Sequence, residues 1–191
     1  MTVSEVMRNL AGAALLLRGE TRGFDWIDQS VTGAWRSFWA AALVLPLLVI
    51  IDLLRLPDLP IVPVERVVLG EAFLYVIRWT AFLVMLAPLL PMIARGVPFS
   101  RLVALYNWAS AVLVLILFPF VVIQLLGLVQ GDASTFLNYL MIGGALAFNY
   151  LLLRGALKID SMTALGLAVF EFVLGVMIQI LGDQVIFFTA L

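Results

Sequence analysis

The chain has 191 residues, 64% of them hydrophobic and 12% charged, with a net charge of -1, a pI of about 5.3 and a mean hydropathy of +1.16. A soluble domain is about half apolar, so this composition belongs in a bilayer, and the acidic balance offers no basic face to release counterions from nucleic acid. Cysteine and histidine are both absent, which excludes disulfides, thiolate nucleophiles, iron-sulfur and common zinc sites, bis-imidazole haem, Ser-His-Asp hydrolysis and histidine proton relays.

Residues 1–37 form an N-terminal region rich in polar residues. Val3, Val6, Met7 and Leu10 recur at helical spacing beside Glu5, Arg8 and Asn9, which predicts an amphipathic helix. The apolar run from Leu10 to Leu17 follows Arg8 as a signal-peptide core would, but Arg18, Gly19 and Glu20 come next with no small-residue cleavage site. It is expected to be retained, and it is too short to span. Beyond Gly23, the spacing of Phe24, Ile27, Val31, Trp35 and Phe38 predicts a second interfacial helix, with Trp26, Trp35 and Trp39 at headgroup level. Its expected role is to dock and anchor the bundle, with membrane sensing as the alternative.

The remainder, 38–191, reads as a transmembrane domain with five spans, at about 38–53, 67–94, 102–129, 135–156 and 162–182. The fold class is therefore an all-α polytopic bundle with N-terminal interfacial helices. Pro46 lies in the short first span, and the prolines between Asp52 and Arg66 predict an extended connection. Pro88 and Pro91 should kink or end the second span, and an apolar tail runs from Asp183 to Leu191. Arg8, Arg18, Arg22, Arg36, Arg95, Arg101, Arg154 and Lys158 fall on one side of such a bundle, against Arg55 and Arg66 on the other. The positive-inside rule then predicts a cytoplasmic N-terminus, an outside C-terminus and a cell inner (plasma) membrane location.

The second span carries Arg78 near its midpoint, and a guanidinium at that depth needs a partner or water. In the fifth span, Ala164, Ala168, Glu171, Gly175, Gln179 and Gly182 share one helical face, small enough for close approach and bearing one carboxylate. Counted from the outer surface, Arg78 and Glu171 lie at similar depth, roughly 17 Å down, which predicts that they pair. Glu71 and Tyr75 share the face of Arg78, and Asp183 lies at the outer level. A closed structural pair is preferred over a transport or proton path, since intramembrane charges mark both.

A second polar set, comprising Asn107, Ser110, Asn149 and Tyr150, is expected toward the cytoplasmic side, flanked by Tyr106 and Trp108. Helix adhesion through the amides is preferred over a polar vestibule. Asn138, Ile142, Ala145, Asn149 and Ala156 fit one face of the fourth span, and Gly143 with Ala147 forms a small-residue pair of the kind found at helix dimers. No nucleophile elbow, phosphate-binding glycine loop or zinc-protease motif is present, and the aspartates are too dispersed to hold magnesium for headgroup transfer. The expectation is a non-enzyme without cofactor, metal or catalytic residues.

Five spans, an amphipathic N-terminal region and a short outward C-terminus resemble the Yip family of small membrane proteins, with Tyr106-Asn107-Trp108-Ala109-Ser110 the suggestive local feature. The chain departs from the family's eukaryotic members in lacking Asp-Leu-x-Gly-Pro before the first span, so the resemblance does not carry their vesicle-trafficking partners here. The stretch from Arg18 to Trp26 is similar to uncharacterised bacterial integral membrane proteins. The sequence thus predicts a scaffold or accessory subunit of a membrane assembly, with the lipid bilayer and a homo-oligomer or larger complex as partners. The alternative is a small transporter or channel in which Arg78 and Glu171 bind or gate a solute.

Overall fold

The computed structural model describes residues 1–55 and 63–188. They form α-helices α1 (Val3–Leu17), α2 (Gly23–Trp26), α3 (Val31–Ser37), α4 (Trp39–Arg55), α5 (Val64–Leu86), α6 (Leu90–Ile93), α7 (Phe99–Leu125), α8 (Gly131–Leu157) and α9 (Ser161–Asp183), followed by a π-helical turn, Gln184–Phe188. Five helical segments are long and apolar enough to cross a membrane: Val31–Arg55, Glu65–Leu86, Phe99–Leu125, Gly131–Leu157 and Ser161–Phe187. At most 22% of the most apolar stretch of any of them is buried within the chain. The rest turns residues such as Phe73, Val84, Phe136, Tyr139 and Met177 outward, a surface that lipid rather than water must cover. The chain is an all-α, multi-pass membrane bundle.

The helix ends follow local chemistry. Thr2 caps α1 through a capping box with Glu5, Ser30 caps α3 by accepting from the Gly33 amide, and the Asp160 carboxylate accepts from the Met162 and Thr163 amides at the start of α9. The first crossing is longer than the sixteen residues from Phe38 to Leu53 that hydropathy suggested. After only a slight break at Phe38, α3 leads into α4, and the crossing spans 25 residues. Pro46 lies inside α4 and Pro119 inside α7 without ending either helix. The second crossing instead stops at Leu86, two residues before Pro88, and the short helix α6 has Pro91 in its first turn. The connection expected over 52–66 lies partly outside the described residues, as do the last residues of the tail, while its earlier part continues α9 as the π-helical turn.

α7 is the central element. It packs on α1, α3, α4 and α8, and its unbroken buried stretch from Leu102 to Ala109 forms the middle of the core with Phe82, Leu86, Leu152 and Leu153. α9 completes the bundle against α8 on one side and α5 on the other. In α1, Val6 and Leu10 of the amphipathic pattern are half-buried against the core and Val3 and Met7 are exposed, while Asn9, Gly12, Ala13 and Leu16 are buried. The buried small residues make a close crossing with α2. A side-chain carbon on Gly23 would stand 2.3 Å from the Gly12 carbonyl oxygen, so these two glycines let the backbones meet. Trp26, Trp35 and Trp39 face outward.

Candidate functional site

The face of α9 read from small residues does turn toward the bundle. Ala164, Ala168 and Gly182 are buried, with Glu171, Gly175 and Gln179 half-buried between them. What α5 presents to it is set by an antiparallel register: Gly70 meets Ile186, Leu74 meets Gly182, Arg78 reaches Gln179, and Phe82 packs its ring 6.3 Å from that of Phe170. From Gly70 to Arg78 each turn along α5 is therefore about a turn back along α9.

This register overturns the expected Arg78–Glu171 pair. Arg78 donates through Nη1 to the Gln179 side-chain oxygen, and Gln179 donates in turn to Asp183 at 2.7 Å. Glu171 lies eight residues from Gln179, roughly 12 Å along the helix. It accepts instead from the Tyr106 hydroxyl at 2.9 Å and from the Asn149 amide at 3.1 Å. No ion pair joins Arg78 and Glu171 among the described residues. Depth counted from Gly182 places Glu171 too near the outer surface, because the fifth crossing does not end there. The helical path runs on through the π turn, and Arg66 reaches back to the Val185 carbonyl at 2.7 Å, setting the top of the α5–α9 pair higher than hydropathy indicated.

The second polar set divides into separate contacts rather than lining one vestibule. Asn107, fully buried on α7, accepts from the Trp79 indole at 3.0 Å and donates to the Ser37 hydroxyl at 2.8 Å, and Ser37 donates to the Ala34 carbonyl at 2.6 Å. This chain ties α5, α7 and α3. Asn149 belongs with Glu171, as above, and Ser110 lies beside the Tyr106 hydroxyl. Tyr150 turns to an exposed contact with Arg154. Asn138 bonds Gln124 at the far end of α7 and α8, outside both sets. Gly143 has nothing within 4 Å of where a side chain would begin, and Ala147 is exposed, so this small-residue pair makes no packing contact within the chain.

Glu71, Tyr75 and Arg78 line one cleft, together with a residue from the overlap of the expected first span and the connection after it. Asp52, near the end of α4, joins them around a cleft of about 230 Å³ between α4 and α5. Asp52, Glu71 and Arg78 lie within electrostatic range of one another. Tyr75 crosses from α5 to donate to the Ala41 carbonyl on α4 at 2.6 Å.

At the opposite end, the N-terminal region is held by polar contacts. Ser100 donates to the Gln29 carbonyl at 3.0 Å, Arg101 donates to the Ala156 carbonyl at 2.8 Å and to the Gln29 side chain, and the Asp28 amide donates to Asn9 at 3.3 Å. The Arg101 guanidinium also stands 5.3 Å over the Phe24 ring. No family model, curated protein or solved structure matches the chain.

Proposed function

We propose that the chain is a non-enzymatic inner-membrane protein that serves as a helical scaffold or accessory subunit of a membrane assembly, with its N-terminus in the cytoplasm. The observation that carries this reading is the closure of the polar groups inside the bundle. Among the described residues, no buried side-chain nitrogen or oxygen lacks a partner. Glu171, the deepest carboxylate of α9, uses its two oxygens on Tyr106 and Asn149, and Asn107 bridges Trp79 and Ser37. Polar groups satisfied by one another fix helix register, and in a bilayer they act as interhelical adhesion. The outward Gly143 and Ala147 stripe adds a surface of the type that a second membrane helix packs against.

The test is to purify the chain from its own membrane in mild detergent and measure its mass by native mass spectrometry. A larger stable assembly is the expected result, and a monodisperse single chain would count against the reading. A small transporter is the second reading, favoured by the cleft that reaches Arg78. In reconstituted vesicles the scaffold reading expects equal solute flux for wild type, Glu171→Gln and Arg78→Gln; flux present in wild type and lost in either variant would favour transport.

A further inference from the structure

We infer that the cleft between α4 and α5 is a binding site for the zwitterionic headgroup of an aminophospholipid, entered sideways from the bilayer. α4 packs on α7 and α5 packs on α9, which leaves a groove between the two helices. Its walls include Val49 and Val68, both substantially exposed at the rim, so the opening faces the region that lipid tails fill. Its charges are ordered by depth. Asp52 lies within a turn of the end of α4, Glu71 two turns into α5, and Arg78 two turns deeper still. Neither Asp52 nor Glu71 has a hydrogen-bond or salt-bridge partner among the described residues, and Arg78 uses Nη1 alone of its fork on Gln179. Tyr75, bonded to the Ala41 carbonyl, ties the two helices on the side toward α3.

A phosphoethanolamine headgroup carries its ammonium outermost and its phosphate toward the tails. That order matches carboxylates near the mouth and a guanidinium at the base. A primary ammonium can donate to both Asp52 and Glu71, whereas a trimethylammonium has no N–H to give, and a carboxylate disfavours an anionic glycerol headgroup. Arg55, one turn from Asp52, also lies at the mouth, and its charge interacts with both carboxylates. With Arg55 and Arg78 against Asp52, Glu71 and Asp183, the local balance stays slightly negative, which favours the ammonium end at the mouth. This site stands independently of the scaffold reading and requires only that the chain lies in a bilayer.

The experiment places the full chain in nanodiscs containing equal parts phosphatidylethanolamine, phosphatidylcholine and phosphatidylglycerol with identical tails, then counts retained lipids by native mass spectrometry after gentle release. Wild type should retain phosphatidylethanolamine roughly tenfold over phosphatidylcholine, the scale of one lost charge-assisted hydrogen bond. Glu71→Gln should erase that preference, and Arg78→Leu should lower retention of the ethanolamine and choline lipids alike. If Glu71→Gln does not yield a single folded species, Asp52→Asn at the mouth is read in its place. Equal retention of the three lipids by wild type, a preference for phosphatidylglycerol, or discrimination unchanged in the carboxylate variant would overturn the assignment.

Discussion

Tyr106 on α7 donates its hydroxyl to Glu171 on α9 at 2.9 Å, and this single contact gives the deepest carboxylate of α9 a partner that carries no charge. Together with Asn149 it ties three crossing helices at one level. A double-mutant cycle on Tyr106→Phe and Glu171→Leu, read by unfolding in detergent, should return a coupling of about 1 kcal/mol, in the range of interhelical hydrogen bonds. The same cycle on Arg78→Gln and Glu171→Gln should return less than about 0.5 kcal/mol, as for residues that do not touch. A large coupling in the second cycle would restore a direct ion pair.

Asn107 supports a second prediction. It is fully buried and serves both as acceptor for Trp79 and donor to Ser37. Asn107→Leu leaves the buried Trp79 indole N–H without an acceptor, while Ser37 keeps its bond to the Ala34 carbonyl, so it should destabilise the bundle by about 1–3 kcal/mol. Ser37→Ala removes only one end of the chain and should cost less. Unfolding midpoints in the same detergent compare the two.

Some of this was legible in residue order and some was not. The α9 face from Ala164 to Gly182 followed from steps of three and four, because small residues mark where helices approach closely. The partner of Arg78 did not follow, because depth counted from hydropathy depends on where each helix is assumed to end. A shift of two turns exchanged Glu171 for Gln179. Trp79 escaped notice as a hydrogen-bond donor because an indole reads as interfacial or apolar in a composition, and Ser37 because it sits at the break between α3 and α4. Asp52 falls where the expected first span and the connection after it overlap, and α4 holds it in the helix by running on to Arg55.

The crossing of α1 and α2 gives a third prediction. Gly23 lies where a side-chain carbon would press on the Gly12 carbonyl, a backbone atom that cannot swing aside. Gly23→Ala should therefore loosen the N-terminal helices by about 1–3 kcal/mol, the usual cost of overpacking. Faster amide exchange confined to α1 and α2, with the exchange of α7 unchanged, is the expected pattern. Equal protection in wild type and variant would show that the helices do not cross here.

A pH effect should appear at the start of α9. Hydrogen bonds from the Thr163 hydroxyl and from the Thr163 and Met162 amides hold the Asp160 carboxyl below the ordinary aspartate value of 3.8. A group with a depressed folded value stabilises the cap fully above its unfolded value and loses that contribution as pH falls through the folded one. Amide exchange at Met162 and Thr163 should thus accelerate, beyond the intrinsic chemistry, only as pH drops below about 3.8. Asp160→Asn, which can still cap but does not titrate, should flatten that dependence.

The absence of cysteine makes orientation directly testable, since single cysteines can be introduced without background. Lys158 is exposed in the connection between α8 and α9, and Asp132 is exposed at the opposite end of α8. A predominance of arginine and lysine near the end that carries Lys158 favours retention of that end in the cytoplasm. In intact cells, a membrane-impermeant thiol reagent should label Asp132→Cys and spare Lys158→Cys until the membrane is opened. The reverse pattern would invert the proposed topology and place the groove between α4 and α5 in the cytoplasmic leaflet. Labelling of both positions in intact cells would instead indicate a mixture of two insertions, which the uneven distribution of basic residues argues against.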